Sequence, residues 1–171
     1  MHARALTGNL QVEAIQHMNR SFPILLVEDE PDDVFFVERA FRSGHLKYPL
    51  FTVGDGQEAI DYLSGTGPYA DHGVYPLPQL VLADLKMPRV SGFDLIAWMR
   101  NDKHCKLLPI IILSSSALAA DVNRAYALGA NAYMVKPADA RSLERLFQTI
   151  AEFWAADQKP AEARSCRERT S

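Results

Sequence analysis

Five short, mostly apolar runs alternate along this chain with segments of helical periodicity. The runs cover residues 23–27, 49–53, 80–83, 108–113 and 132–135. Runs of this length, bounded by turn residues, are typical of strands that are buried on both faces of a parallel sheet. Parallel neighbours need a crossover connection, which is usually a helix and is right-handed. The alternation therefore predicts an α/β fold, a doubly wound sheet of five parallel strands with five helices.

The helical segments have recognisable start signals, and their apolar residues form a stripe along the helix face that should be buried. Pro31 stands with Asp32 and Asp33 where the first helix should begin, because proline has a suitable φ and acids favour the positive end of the helix dipole. One stripe is predicted in the helix after position 90 and another in the last helix, over about 139–154. The first stripe consists of Gly92, Leu95, Ile96 and Met99, and the second of Leu143, Leu146, Phe147, Ile150 and Phe153 or Trp154. Residues 64–78 are rich in Gly and Pro and are predicted to form an irregular loop.

The chain is expected to hold one folded domain and two looser ends. It has 171 residues, of which 48% are hydrophobic and 23% charged, as in a typical globular domain. Residues 1–21 lack sustained periodicity and are expected to form an N-terminal arm. Residues 22–155 form the domain, and residues 156–171 are expected to form a flexible C-terminal tail.

Composition excludes several classes of function. The formal net charge is −3 and the pI is about 5.9, so no basic field is available to bind nucleic acid. No apolar run approaches the roughly 20 residues that span a membrane, and the N-terminus does not resemble a signal peptide. We therefore expect a cytoplasmic protein with no membrane partner.

Cys105 and Cys166 are too few for a disulfide framework and lack metal-ligand spacing.

Polar side chains follow four of the five predicted strands. Glu28 and Asp29 follow the first strand, and Asp84 follows the third. Ser114 follows the apolar run of the fourth, and Lys136 comes after the fifth. Because the carboxyl ends of parallel strands meet at one edge of a sheet, we expect these groups to lie close together. Such carboxylates repel one another unless a cation intervenes, and Mg²⁺ is the expected ion because it prefers oxygen ligands.

The lysine and the hydroxyl predicted beside these acids suit a phosphoryl group on Asp84, since one supplies a positive charge and the other a donor. Simpler interpretations exist for the same residues. Asp84 could only cap the helix that begins near Ser91, and Glu28 and Asp29 could both be capping acids. Tyr133 could be an ordinary core or edge tyrosine.

Four motifs resemble the receiver domain of two-component response regulators, which has a CheY-like, flavodoxin-like fold. They are Glu28-Asp29-Glu30-Pro31, Asp84-Leu85-Lys86-Met87-Pro88 with Ser91-Gly92, residues 109–114, and residues 129–133 with Lys136-Pro137. The order and spacing also agree with that family, since Ser114 lies 30 positions after Asp84 and Lys136 lies 22 positions after Ser114. The resemblance covers residues 22–154.

The resemblance implies a phosphoacceptor and a metal site. Asp84 would accept the phosphoryl group of a phosphohistidine on a sensor histidine kinase. Glu28, Asp29, Asp84 and the backbone carbonyl of Lys86 would hold Mg²⁺. The protein would not be an enzyme in the ordinary sense, but it would assist its own phosphorylation and dephosphorylation.

The resemblance also implies how the phosphoryl group would be sensed. Lys136 would contact the phosphoryl oxygens, and the Lys136–Pro137 peptide bond would be cis. Ser114 would be the switch hydroxyl, and Tyr133 the aromatic side chain that turns inward with it. The switched surface would be formed by the fourth helix, fifth strand and fifth helix.

Residues 30–36 and the loop at 64–78 resemble the small stand-alone regulators that serve phytochrome-type histidine kinases. This likeness implies a bacterial phytochrome as the kinase partner. Family habit and Trp154 together imply a homodimer through the last helix. Lys86 and Ser115 depart from the family, whose members more often have Asp or Asn and Ala there, so the rate of dephosphorylation stays open.

Two functions of other classes use related elements. A Mg²⁺-dependent phosphatase of the haloacid-dehalogenase type also has an aspartate nucleophile, but on its first strand and with a second aspartate two residues later. Here that second position is Lys86. A flavodoxin-like flavin binder needs a phosphate loop after the first strand, where the acidic run that begins at Glu28 would repel a phosphate.

Overall fold

The sheet contains five parallel strands in the order β2-β1-β3-β4-β5. The computed structural model describes residues 22–43 and 48–157, so the predicted arm at 1–21 and nearly all of the predicted tail lie outside the described residues. The strands are β1 (Ile24–Val27), β2 (Leu50–Val53), β3 (Leu80–Ala83), β4 (Ile110–Ser114) and β5 (Ala132–Val135). This order crosses over at β1 and β3, as the doubly wound prediction requires.

Five helices connect and flank these strands. They are α1 (Pro31–Ser43), α2 (Gly56–Ser64), α3 (Gly92–Asn101), α4 (Ala119–Leu128) and α5 (Ala140–Asp157). The predicted irregular loop also contains a short 3₁₀ helix, Gly67–Tyr69, in which Pro68 occupies an early position that needs no backbone donor. The prediction of a loop without regular structure was therefore wrong for these three residues. No helix within residues 22–43 and 48–157 is both long and apolar enough to cross a membrane.

Three of the predicted strands begin later than their apolar runs because each run contains a proline. Pro23, Pro49 and Pro109 have no N–H to give to the ladder. Their carbonyls are still used: Pro49 accepts from Ile24 at 2.9 Å, Pro23 from Gln79 at 2.8 Å, and Pro109 from Val81 at 2.9 Å. The prolines therefore mark the amino edge of the sheet without interrupting it.

Alternate residues of the central strands pack on opposite faces of the sheet. Leu25 and Val27 face the side covered by α2, α3 and α4, whereas Ile24 and Leu26 face α1 and α5. All four are fully buried. The stripe predicted in α3, with members Gly92, Leu95, Ile96 and Met99, is buried as expected. On α5, Phe147 is buried against Phe41 of α1, with ring centroids 5.4 Å apart.

Arg100 ties together the loops at the amino edge of the sheet. Its guanidinium donates to the carbonyls of Gly129 and Leu108 at 2.9 Å, to that of Lys106 at 3.2 Å, and to Asn131 Oδ1 at 2.9 Å. Partial burial lowers the pKa of Arg100, and four neutral oxygens replace its lost water. This network holds the ends of α3 and α4 on the edge opposite the acidic side chains.

Gly92 allows α3 to begin directly against the end of β3. A Cβ at position 92 would lie 2.4 Å from the carbonyl oxygen of Asp84 and 3.0 Å from Leu85 Cα. The N–H of Gly92 also donates to the Leu85 carbonyl at 3.0 Å. The chain that carries Asp84 is therefore held against a helix start at which only glycine fits.

We expect Gly92→Ala to lower the free energy of unfolding by about 2–3 kcal/mol, because the added methyl group must displace backbone rather than a flexible side chain. Urea denaturation followed by circular dichroism would measure the change. Gly54→Ala is the matched control, since a Cβ there would approach only the Glu58 carboxylate, at 3.6 Å. Equal losses in the two variants would contradict the role given to Gly92.

Candidate functional site

Backbone hydrogen bonds continue the sheet ladder past the strand ends and so fix the residues at its carboxyl edge. The N–H of Asp84 donates to the Val27 carbonyl at 2.9 Å, and that of Glu28 to the Val53 carbonyl at 3.0 Å. The N–H of Lys136 donates to the Ser114 carbonyl at 2.8 Å. Residues far apart in sequence are thus brought to one edge by the sheet itself.

The ammonium of Lys136 lies among three carboxylates from three different elements. Its Nζ is 2.5 Å from Glu28 Oε2, 2.7 Å from Asp33 Oδ2 and 3.0 Å from Asp84 Oδ1. The first two contacts are also hydrogen bonds. The side chains of Glu28, Asp84 and Lys136 are 2%, 10% and 15% exposed, whereas that of Asp33 is 40% exposed. The structure therefore brings Glu28, Asp84 and Lys136 together, as the sequence predicts.

The electrostatics of this cluster leave negative charge in excess. Burial raises the pKa of Glu28 by more than its contacts with Lys136 lower it. Burial would lower the pKa of Lys136, but hydrogen bonds to Asp33 and Glu28 raise it overall, so the amine stays protonated. One ammonium faces three carboxylates, and a further cation would be electrostatically favoured here.

The two carboxylate oxygens of Asp84 have different partners. Oδ2 accepts the backbone N–H of Lys86 at 2.6 Å, while Oδ1 faces Lys136 at 3.0 Å. The side chain of Lys86 is exposed, so position 86 contributes to Asp84 through its backbone. Asp84 is 8% exposed, so only a small part of its surface meets solvent at the edge of the sheet.

Asp33 belongs to this cluster, and sequence reasoning missed it. The acids at positions 32 and 33 were assigned only to the start of α1, where both lie in the first turn. One signal could have drawn attention to the acidic run as a whole, although not to Asp33 within it. Between Glu28 and Asp33 the chain has five acids, more than one helix terminus needs.

Asp29 and Ser114 lie at the same edge but outside the ion-pair cluster. Asp29 is half-buried after β1 and forms no ion pair or side-chain hydrogen bond with the described residues. Ser114 is buried, and its hydroxyl accepts the N–H of Ser116 at 3.2 Å. Tyr133 is half-buried on β5 and donates its hydroxyl to the Ser116 carbonyl at 2.8 Å. Tyr133 therefore contacts the loop that follows Ser114.

The donor set of this edge fits a hard divalent cation. Within the described part of the chain, no three His, Cys, Asp or Glu side chains form a ready metal cage. Mg²⁺ does not need one, because it keeps several waters and is commonly held by one or two carboxylates. The buried oxygens of Glu28 and Asp84 supply these ligands, although both now contact Lys136.

The peptide bond between Lys136 and Pro137 is trans, since no cis bond occurs among the described residues. The expectation of a cis bond was wrong. The trans form is the ordinary choice, favoured before proline by about 0.5–1 kcal/mol.

An ion pair anchors the loop that follows Asp84. Arg89, in the left-handed region at φ 62°, pairs with Asp55 at the start of α2. Asp55 is also the N-cap of α2 and accepts the N–H groups of Gln57 and Glu58 at 2.8 and 3.0 Å. Burial alone would raise the pKa of Asp55, but these hydrogen bonds and Arg89 hold it below the usual 3.8.

A cavity of about 350 Å³ opens beside Lys136 between α1 and α5. Its lining includes the charged side chains of Glu28, Asp33 and Lys136 and apolar side chains such as Phe36 and Phe147. Phe35 and Phe36 are 53% and 40% exposed on α1. An apolar surface therefore lies next to the acidic cluster.

Comparison with known proteins identifies a family for most of this chain. The family of response regulator receiver domains matches residues 24–148. The response regulator Rcp1 of Synechocystis sp. is 30% identical over 131 residues, which is 77% of this chain and 87% of Rcp1. The Mn²⁺-bound form of Rcp1 has also been solved; it covers 78% of this chain and 94% of its own, with a TM-score of 0.69 and 30% identity.

Two further solved structures have the same fold. The response regulator RPA3017, from red light signalling of R. palustris, has a TM-score of 0.74 and 34% identity, covering 77% of this chain and 92% of its own. The phosphorylated cyanobacterial phytochrome response regulator RcpA has a TM-score of 0.74 and 32% identity, covering 80% of this chain and 96% of its own. The likeness therefore extends over nearly the whole length of each relative.

The Asp55 cap should make a distinct contribution to the pH dependence of stability. Because its pKa is lowered in the folded state, its stabilisation is present above the unfolded value of 3.8 and is lost as pH falls through the folded value. We expect Asp55→Asn, which keeps a capping side chain, to cost about 0.5–1 kcal/mol at neutral pH. Urea denaturation between about pH 5 and 3 should show a shallower decline in the variant. Parallel declines would contradict this assignment.

Proposed function

Because the chain belongs to the family of response regulator receiver domains, we propose that it accepts a phosphoryl group on Asp84 from a sensor histidine kinase of a two-component system. The observation that carries this proposal is the position of Asp84 at the carboxyl edge of the sheet, with Lys136 Nζ 3.0 Å from its Oδ1. A nucleophilic carboxylate beside a fixed positive charge is suited to a group that brings further negative charge.

In the proposed transfer, a carboxylate oxygen of Asp84 attacks the phosphorus of a kinase phosphohistidine. An O–P bond forms, the N–P bond breaks, and the imidazole nitrogen keeps the electron pair. The product is an acyl phosphate on Asp84, which water later hydrolyses to inorganic phosphate. The chain would assist both steps by holding charges in place, which is a positioning role rather than turnover of an outside substrate.

We propose Mg²⁺ as the cofactor, held by Glu28, Asp29, Asp84 and the backbone carbonyl of Lys86. Its support is the oxygen-only donor set and the excess negative charge at this edge, together with the Mn²⁺-bound structure of the relative Rcp1. When bound, such an ion would neutralise charge on the carboxylates and on the incoming phosphoryl group. Before the ion binds, the ammonium of Lys136 and the N–H of Lys86 both contact the Asp84 carboxylate.

The proposed switch begins with the phosphoryl oxygens. They would attract the ammonium of Lys136 and the hydroxyl of Ser114, each of which sits at a strand exit beside β3 or β4. The hydroxyl of Ser114 accepts a hydrogen bond from the N–H of Ser116, and the carbonyl of Ser116 accepts one from the hydroxyl of Tyr133. A shift of Ser114 would therefore be felt by Tyr133 on β5. We assign the changed surface to α4, β5 and α5.

The proposed upstream partner is a phytochrome-type histidine kinase. Two solved relatives belong to red light or phytochrome signalling, RPA3017 and RcpA. On this chain, exposed Phe35 and Phe36 next to the acidic cluster offer an apolar surface against which a helix of the kinase could pack. The output would pass through protein contacts, since the net charge of −3 disfavours nucleic acid.

The phosphatase alternative has no observation in its favour. Asp84 lies at the end of the third strand, and position 86 presents an exposed lysine side chain where that mechanism needs a carboxylate. No second acid is therefore placed two residues after Asp84 to serve a leaving group.

We expect Asp84→Asn to abolish phosphorylation by acetyl phosphate and Mg²⁺, because the amide removes the nucleophile while preserving the shape of the side chain. Intact-protein mass spectrometry would detect the added phosphoryl group. Asp32→Asn is the control, since Asp32 is an exposed acid next to Asp33 that forms no ion pair with the described residues. Undiminished phosphorylation of Asp84→Asn would overturn the assignment of the acceptor.

We also propose a homodimer through α5. The side chain of Trp154, on which the expectation rested, lies outside the described side chains, but the neighbouring Phe153 is 64% exposed on the same helix. Burying such an aromatic group favours association.

Light scattering should give the mass of a dimer for the wild-type chain, and Phe153→Ser should shift the equilibrium towards the monomer. Leu107→Ser is the control, because Leu107 is 87% exposed in the loop before β4 and is not part of α5. A wild-type monomer at high concentration, with or without phosphorylation, would rule the dimer out.

A further inference from the structure

The ammonium of Lys136 contacts two buried acids and one more exposed acid. Its hydrogen bonds run to Glu28 at 2.5 Å and to Asp33 at 2.7 Å, while Asp84 is in contact at 3.0 Å. Glu28 and Asp84 are the buried acids, and Asp33, on the first turn of α1, is the accessible one. Asp33 therefore holds the ammonium from the solvent side of the cluster.

There is space on that side for the ammonium to move. The cavity between α1 and α5 is lined by Glu28, Asp33 and Lys136. Asp84 is not among its lining residues. A small rotation of the lysine chain towards the cavity would lengthen the contact with Asp84 and keep the contact with Asp33.

A divalent cation and Lys136 would compete for the same two carboxylates. The ion would need Glu28 and Asp84, both of which now contact the ammonium. Two positive groups cannot share these oxygens at close range without strong repulsion, so the ammonium must withdraw when the ion binds. A partly buried ammonium that withdraws needs another anionic partner, because an unpaired buried charge is unfavourable.

We propose that Asp33 is a positioning residue that retains the Lys136 ammonium when a divalent cation takes the oxygens of Glu28 and Asp84. The lysine then stays within reach of Asp84 and returns when a phosphoryl group arrives there. This inference rests on the proposed function, in which Asp84 is the acceptor. It gives the Asp33 carboxylate on α1 a role in which it binds the ammonium of Lys136 and does not bind the metal ion.

The test is the affinity of the full-length, unphosphorylated chain for MgCl₂, measured by isothermal titration calorimetry. We expect Asp33→Asn to weaken binding about tenfold, since it removes a charged hydrogen-bond partner of the displaced ammonium. Asp32→Asn removes the same formal charge one residue away. Because Asp32 forms no ion pair within the described residues, this substitution should weaken Mg²⁺ binding about twofold or less. Asp33→Glu, which keeps the charge, should recover most of the affinity.

A double-mutant cycle with Lys136→Ala separates an effect on the lysine from an effect on the ion. In that background the ammonium is gone, so Asp33→Asn and Asp32→Asn should weaken Mg²⁺ binding equally. A tenfold loss that persists without Lys136 would overturn the inference, because Asp33 would then act on the ion directly. Equal affinities of the two single variants would overturn it as well while leaving Asp84 as acceptor. A wild-type chain that is phosphorylated on Asp84 but binds no Mg²⁺ would overturn this inference and the proposed cofactor, not the acceptor.

Discussion

The ammonium of Lys136 is the interaction on which the carboxyl edge of this protein depends. Two like charges about 4 Å apart repel by roughly 4 kcal/mol at an effective dielectric constant of about 20. Several such pairs would consume much of a domain stability of about 5–15 kcal/mol. One lysine offsets this repulsion by contacting acids that come from β1, α1 and the end of β3. The same arrangement leaves negative charge in excess, which favours a further cation at this edge.

Much of the fold could be predicted because its signals are local. The apolar runs, the prolines at their starts and the stripe from Gly92 to Met99 each reflect neighbours within one element. Parallel pairing then follows from the alternation of strands and helices, and it brings the residues after the strands to one edge. Glu28, Asp84 and Lys136 could be grouped in this way because each is the first residue after a strand.

The features that sequence reasoning missed depend on partners far away in the chain. Asp33 looks like any acid in a first helical turn, and only the position of Lys136 distinguishes it from Asp32. The pair between Arg89 and Asp55 joins two loops that no local pattern relates. The short 3₁₀ helix was missed because Gly and Pro at positions 67 and 68 signal a break, although they also permit one tight turn.

The contact between Glu28 and Lys136 joins groups that are 108 positions apart. Chain growth runs from the amino end, so a ribosome produces the acids of β1 and β3 well before it adds the last strand and its lysine. Until then the carboxylates of Glu28 and Asp84 lack the ammonium that contacts both of them in the folded protein. Asp84 is therefore synthesised early but gains its contact with Lys136 only when β5 docks beside β4.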